Sequence, residues 1–589
     1  MEKIWQLLPV VDGGFLKEYP QYNRTVSQLL YNRGLKKEEE IELFLCPEYP
    51  KHSSSPLLFS QMDEAADLVI RHIKNEDKIV VYGDYDADGV TASALLFDVF
   101  SILKAKTEVY IPHRATEGYG LNEKSIKEIA RSGVKLVITV DTGIRDKEKV
   151  EYARELGLSI IVTDHHFPPE EKNDYPGCLV INPAIPDEKY PYKYLAGVGV
   201  AFKLAEAIIE KSTLEDSVKS KLKERCLDLV AIGTVADCVD LNGENRVLVK
   251  SGLEVLNKKN RLGIRELVLA AGIGDRVLES WNIGFQIAPR LNAAGRMEHA
   301  NTAFELLTTS SLEEAKKLAQ DLGEKNNSRQ KVTGEMVEET ENELLPDIKA
   351  DDRIIIVVSP SVTRGEKELW SEGVVGLVSG KISDKYYLPS LVIIQAEKEG
   401  FVKGSGRSID EFNIIKALEE CEELLENFGG HPRACGFTLK KDNLELFKSK
   451  MIKIAKRELG GKKLSPRIVI EAEVGLEEVD EKLARDVRQF APFGSGNEEP
   501  KFLTKNLQIA DILLMGAENQ HIKFRLNGQN AGIKTAIGFG QAGRWKDLEI
   551  GQRIDMIYFL ELNRFNGREE VQLKIVDIKQ VTNNKEQRA

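Results

Sequence analysis

The 589-residue chain lacks long apolar runs: nowhere do 18 consecutive apolar residues occur, so no membrane-crossing helix is expected. Its first residues, Met1-Glu-Lys-Ile-Trp5, lack the basic-then-apolar order of a signal peptide, and a cytoplasmic protein is expected. Cysteine is scarce. The six, at 46, 178, 226, 238, 421 and 435, form no CxxC pair and no finger-like spacing, so neither a zinc ribbon nor a disulfide framework is supported. Net positive charge is also missing. A formal −12 argues against a protein that coats nucleic acid indiscriminately, because backbone binding relies on Lys and Arg releasing counterions. The deficit is uneven: residues 501–589 carry 14 Lys/Arg against 10 Asp/Glu, a local +4, which leaves −16 on the preceding 500.

What the sequence does have is acid in one place. The apolar run Ile79 to Tyr82 leads into Gly83-Asp84-Tyr85-Asp86-Ala87-Asp88-Gly89, three carboxylates two residues apart. Read as a buried strand, the run sets these acids in the turn at its carboxyl end, where open α/β sheets place their ligand crevice. Acids so close repel one another and raise each other's pKa unless a multivalent cation neutralises them. A metal site is the first expectation.

At about 150 residues per domain the chain suggests three or four domains. After a helical lead-in (1–50), strands are expected at 79–83, 107–112, 135–140, 159–163 and 179–182. Helical spacing lies between them at 92–103, 123–131 and 147–156, which reads as a mainly parallel, doubly wound sheet. Two more strand ends carry the same chemistry, Asp141-Thr-Gly and Asp164-His165-His166, and Asp237 follows the apolar helical stretch 227–236. A lone Asp-Thr-Gly or His pair is usually a turn or a cap. Four clusters, three at parallel strand ends, converge as a two-metal site requires. Imidazole mixed with carboxylate suits Mn2+, while Mg2+ prefers carboxylate and water.

These motifs, Asp84-Tyr-Asp-Ala-Asp-Gly, Asp141-Thr-Gly, Asp164-His-His and Ala236-Asp237, resemble the four ordered motifs of the DHH phosphoesterase superfamily, most closely its RecJ branch. The resemblance implies two Mn2+ or Mg2+ ions on Asp86, Asp88, Asp141, His165 and Asp237, with Asp141 between them and His166 facing the scissile phosphate. Asp84 is either a ligand or an outer orienter. Catalytic roles are thus expected for His166, Asp141 and Asp84. Ile111-Pro-His-Arg114, Pro289-Arg290-Leu-Asn292-Ala-Ala-Gly-Arg296, Lys403-Gly-Ser405-Gly-Arg407 and Gly429-Gly-His431 resemble further RecJ segments. By that resemblance Arg114, Arg290, Asn292, Arg296, Ser405, Arg407 and His431 meet nucleic-acid phosphates, with the glycines letting backbone N–H groups approach.

The implied architecture is α/β: a DHH domain (51–308), a long solvated connector helix (309–348), a DHH-associated domain (349–462), an OB-like barrel (463–582) and a tail (583–589). Phe524, Arg525, Phe539, Trp545, Tyr558 and Phe565 are the barrel's candidate base-stackers. The implied activity is a metal-dependent 5′–3′ exonuclease on single-stranded DNA, serving repair and recombination. It is expected as a monomer, free of membranes, with single-strand binding protein and a helicase as partners. The alternatives are a DHH phosphodiesterase acting on short oligonucleotides or cyclic dinucleotides, an inorganic pyrophosphatase, and a metal-free scaffold that binds DNA or replication proteins.

Overall fold

Runs of Val, Ile and Leu with little alternation build strands buried on both faces, the signature of a parallel sheet covered by helices. Five such strands form β1 (Lys78–Gly83), β2 (Lys106–Tyr110), β3 (Val134–Val140), β4 (Ser159–Thr163) and β5 (Leu179–Ile181). All pair in parallel, in the order β2-β1-β3-β4-β5. The computed structural model describes residues 3–114, 116–345, 350–364, 370–396, 398–528, 531–565 and 568–581. The register decides the site: Gly83 pairs with Val140 and Val140 with Thr163, so Asp84, Asp141 and Asp164 leave three adjacent strands at one level.

The chain divides into two units, one of residues 55–237 and 252–466, the other of residues 1–54, 238–251 and 467–589. In the first, helices α1 (Ala87–Ile102), α2 (Gly197–Lys211) and α3 (Asp216–Ala236) pack on one another beside the parallel sheet. Two later helices, α4 (Ala288–Met297) and α5 (Leu312–Glu339), lead to a second sheet of β6 (Ile355–Val358), β7 (Ser390–Gln395), β8 (Phe401–Arg407), β9 (Leu425–His431) and β10 (Ala434–Lys440). Its order is β9-β10-β8-β7-β6, and only β6 and β7 are parallel.

Two expectations change here. The connector α5 is not a solvated rod, because Ala315, Ala319, Leu322, Asn326, Thr333 and Met336 form a buried stripe along it. The glycines of 403–407 do not offer free N–H groups either. They lie inside β8, whose ladder is engaged on both sides, and a Cβ on Gly404 would fall 2.1 Å from the Phe437 ring. These glycines make room for packing, so any phosphate contact there falls to side chains.

In the second unit, strands from Ala472 to Gln580 form a six-stranded sheet closed by pairing of Phe502–Met515 with Arg553–Phe565. The lead-in shares its core: Phe15, Leu29, Leu30 and Phe44 cluster with Phe490, Phe502 and Tyr558. Ile4–Leu7 also pairs in parallel with Arg467–Ile470, and Arg33 holds Glu471 at 2.6 and 3.2 Å. Arg246 is wholly buried there and donates to the carbonyls of Phe44 (2.7 Å), Ala491 (2.9 Å) and Pro492 (3.3 Å). Of the expected stackers, Phe524 and Tyr558 are core residues, Trp545 is half-buried, and Arg525 and Phe539 are exposed. The Phe565 side chain and the tail 583–589 lie outside the described residues.

Candidate metal centre

Asp86 is the N-cap of α1, its Oδ1 accepting from the Asp88 and Gly89 N–H groups at 2.9 and 3.1 Å, as an acid before a helix should. Asp88, one residue into the helix, is buried and takes the Gly197 and Val198 N–H groups of the α2 N-terminus at 2.7 and 2.9 Å. Asp141 sits at φ +62°, a conformation Asp tolerates better than most residues. It lies against Gly197, where a Cβ would come 2.6 Å from the Asp141 side chain. Asp237 caps the carboxyl end of α3.

The acids and histidines meet. His165 Nε2 lies 3.2 Å from Asp141 Oδ1 and 3.6 Å from Asp237 Oδ2. Three groups have ligand atoms within 4.8 Å of one another: Asp84, Asp86 and Asp141; Asp88, His165 and Asp237; and Asp141, His165 and His166. Four of these atoms, Asp84 Oδ1, Asp141 Oδ1, His165 Nε2 and Asp237 Oδ2, are buried without a hydrogen-bond partner. An unpaired polar atom in a core costs about 1–3 kcal/mol, so their clustering marks a place built for something else to satisfy them.

The electrostatics agree. Burial and the neighbouring Asp86 push Asp88 up to about 7 and Asp84 well above its ordinary value. Burial and Asp88 do the same to Asp141 and Asp237. His165 is driven down to about 4 by burial and by His166, so its imidazole is neutral and can offer a lone pair. For His166 burial works the other way from its surroundings: the Asp164 carboxylate, 2.8 Å from Nδ1, outweighs it and raises the pKa. Asp164, fully buried, stays ionised because His166 and the Ile144 N–H offset its desolvation.

A cationic set lies on the elements around this cluster. Arg114 covers the Tyr85 ring at 4.9 Å. Asn292 of α4 accepts from the Ala87 N–H at 2.8 Å, between two of the acids. Arg296 donates to the Gly373 carbonyl at 2.9 Å, and burial together with Arg114, Arg329 and Arg407 lowers it to about 10. Arg290 donates to the Gln286 carbonyl, and its Nε is buried without a partner. Ser405 and Arg407 stand together on β8 within 3.2 Å of where a Gly376 Cβ would be, whereas His431 is exposed at the end of β9. Among the described residues none of Arg114, Arg290, Arg296, Arg329 and Arg407 forms an ion pair with a carboxylate.

Four residues here were given no role of their own from the sequence, although Asp164 heads one of its motifs. Asp164 orients His166, and the Tyr119 hydroxyl lies 3.2 Å from His166 Nδ1. Arg329 and Asn326 face inward from α5, each with a buried atom lacking a partner. A signal for the last two existed: they are polar residues at positions of the α5 stripe whose spacing calls for apolar ones. Tyr82, three residues before Tyr85, takes no part; it is buried with its hydroxyl near the Gly120 carbonyl and Ser125.

Three family models match the chain: the DHH family N-terminal domain over residues 78–234, the DHHA1 domain over 353–457 and the RecJ OB domain over 470–577. The chain is 37% identical to the single-stranded-DNA-specific exonuclease RecJ of Bacillus subtilis, over 94% of this chain and 67% of that one. It is 30% identical to the Escherichia coli protein of the same name, over 94% and 95%. The crystal structure of Thermus thermophilus RecJ with Mn2+ superposes with a TM-score of 0.80 at 27% identity, covering 98% of this chain and 80% of that one.

Proposed function

The chain belongs to the RecJ family of single-stranded-DNA-specific exonucleases, and from that premise we propose that it removes nucleotides from the 5′ end of single-stranded DNA during repair and recombination. It is a metal-dependent phosphodiester hydrolase. The observation that carries the reading is the set of four buried, unpartnered ligand atoms where the aligned strand ends meet the carboxyl end of α3.

Asp84, Asp86, Asp88, Asp141, His165 and Asp237 would hold two Mn2+ or Mg2+ ions, a donor set of carboxylates and one neutral imidazole that fits either. When bound, the ions supply Lewis acidity and an activated water for attack at phosphorus. The chain's own groups do the rest. His165 stays deprotonated at neutral pH and presents Nε2 to the cluster. Asp164 raises the His166 pKa and so favours the protonated ring, which can donate to the phosphoryl oxygens as negative charge grows on them. Arg290, Arg296, Ser405 and Arg407, with Arg114 above Tyr85, bind the phosphates of the strand. A terminal 5′ phosphate among them sets the direction. The Asn292 bond fixes the Ala87 N–H and with it the spacing of Asp86 and Asp88. His431, being exposed, contacts the strand only at the periphery.

A cytoplasmic monomer to which single-strand binding protein or a helicase delivers substrate is the arrangement that suits this chemistry. Among the described residues no helix is long and apolar enough to cross a membrane. A cyclic-dinucleotide phosphodiesterase would have no use for the closed barrel, and a metal-free scaffold leaves the unpartnered atoms unexplained. The test compares a 5′-labelled single strand, a duplex and a cyclic dinucleotide, each with Mn2+ and with EDTA. Mononucleotide release from the single strand alone, abolished by EDTA, is expected. Preferential hydrolysis of the duplex or the cyclic dinucleotide would overturn the assignment.

A further inference from the structure

The segment that leads into Arg290 displays two large aromatic rings to solvent. Trp281 is 54% and Phe285 69% exposed, although Ile283 and Ile287 between and beside them are fully buried. The two rings stack on each other, centroids 5.4 Å apart and planes 25° from parallel. They sit at a four-residue spacing where the helix Ser280–Asn282 passes into the π-turn Ile283–Ile287, a wider turn of a kind that recurs at functional sites. Gly284, on the inward side, faces Val235, two residues before Asp237. Downstream the same helical run carries Arg290 and Asn292, the latter bonded to Ala87 amid the acids.

We infer that Trp281 and Phe285 form a stacking platform for the bases of the single strand, three to five nucleotides from the reacting phosphate. The inference rests on the exonuclease reading. At about 1.5 Å per residue, Phe285 and Trp281 lie roughly 10 and 16 Å of helix from Asn292. With stacked bases about 3.4 Å apart, that span holds three to five nucleotides. Single-strand binding without sequence preference combines a cationic track for phosphates with aromatic faces for bases. The arginine set supplies the first, and these rings supply the second on the same run of chain. The expected barrel stackers Phe524 and Tyr558 cannot serve, since both are buried. A nucleic acid is favoured over a protein occupant because the platform continues into unpaired arginines.

The experiment measures the affinity of the full chain for a 5′-phosphorylated oligothymidylate by fluorescence anisotropy in EDTA, where no turnover occurs. The double variant Trp281→Ala/Phe285→Ala should bind about 10- to 100-fold more weakly. Trp281→Phe should keep most of the affinity, and Trp281→Leu, apolar but not aromatic, should not. Abasic nucleosides at the third to fifth positions should weaken wild-type binding and leave the double variant's affinity where it was. An unaltered affinity in the double variant, or an equal abasic penalty in both proteins, overturns the platform while cleavage by the wild type leaves the exonuclease reading standing. A wild-type chain that neither binds nor cleaves single strands overturns both.

Discussion

His165 and His166 are adjacent in the chain, and their surroundings shift their pKa values in opposite directions. Burial and the neighbouring ring lower the His165 pKa to about 4, while Asp164 raises that of His166. If His166 acts as the protonated partner of the phosphoryl group, activity has an alkaline limb set by its pKa. Asp164→Asn should therefore move that limb to lower pH, and His166→Ala should lower kcat by about 10²- to 10⁴-fold, both read from pH–rate profiles. An Asp164→Asn limb at the wild-type pH would remove His166 from this role. The acids carry a second consequence. The Asp88 carboxyl has its pKa raised from 3.8 to about 7 on folding, so its protonated form stabilises the metal-free fold. That contribution is fully present below 3.8 and is lost as pH rises through about 7. The metal-free chain should melt at a lower temperature at pH 8 than at pH 5.5, and Mn2+ at pH 8 should raise it, since ligation needs the carboxylates ionised. Thermal scans in EDTA that are flat across this range would contradict the assignment.

At the scale of elements, the site depends on two helix contacts that only glycine allows. A Cβ on Gly197 would lie 2.6 Å from the Asp141 side chain, and one on Gly233 would lie 2.3 Å from Thr91 Oγ1 and 2.8 Å from Asp88 Oδ1. Gly197→Ala should thus weaken Mn2+ binding about tenfold or more, the scale of effect seen when groups supporting a metal ligand are disturbed. Its stability cost should be about 1–3 kcal/mol, as for an overpacked core. Calorimetric titration beside melting curves separates the two. Neither glycine belongs to an obvious turn, and neither was legible as a site residue. The strands were legible, because Ile79–Tyr82 and Leu136–Val140 are apolar enough to announce burial on both faces. The connector α5 misled because its many charges suggested a wet helix. Its buried stripe becomes apparent only when Ala315, Ala319, Leu322, Asn326, Thr333 and Met336 are seen at packing spacing.

At the scale of the whole molecule, the lead-in belongs to the barrel's core and not to the catalytic sheet that follows it in sequence. Deleting residues 1–50 removes Phe15, Leu29, Leu30, Ile41 and Phe44 from that core. At about 1.5–3 kcal/mol for each buried side chain, the loss is comparable to the whole stability of most domains. Such a truncation should leave the chain aggregated, or without a cooperative transition for its barrel, and a soluble product with an unchanged melting profile would contradict the shared core. Sequence by itself determined the order of strands and helices, the two α/β sheets with their barrel, and the four clusters of acid and histidine, because hydrophobic periodicity and the positions of motifs are local properties. Tertiary structure decided which atoms meet. The register of β1, β3 and β4 levels Asp84, Asp141 and Asp164. Asp164 beside His166 splits the two histidines, and packing turns Phe524 inward, leaving Trp281 and Phe285 in the open. Each of these follows from long-range packing, in which residues hundreds of positions apart set one another's solvation and charge.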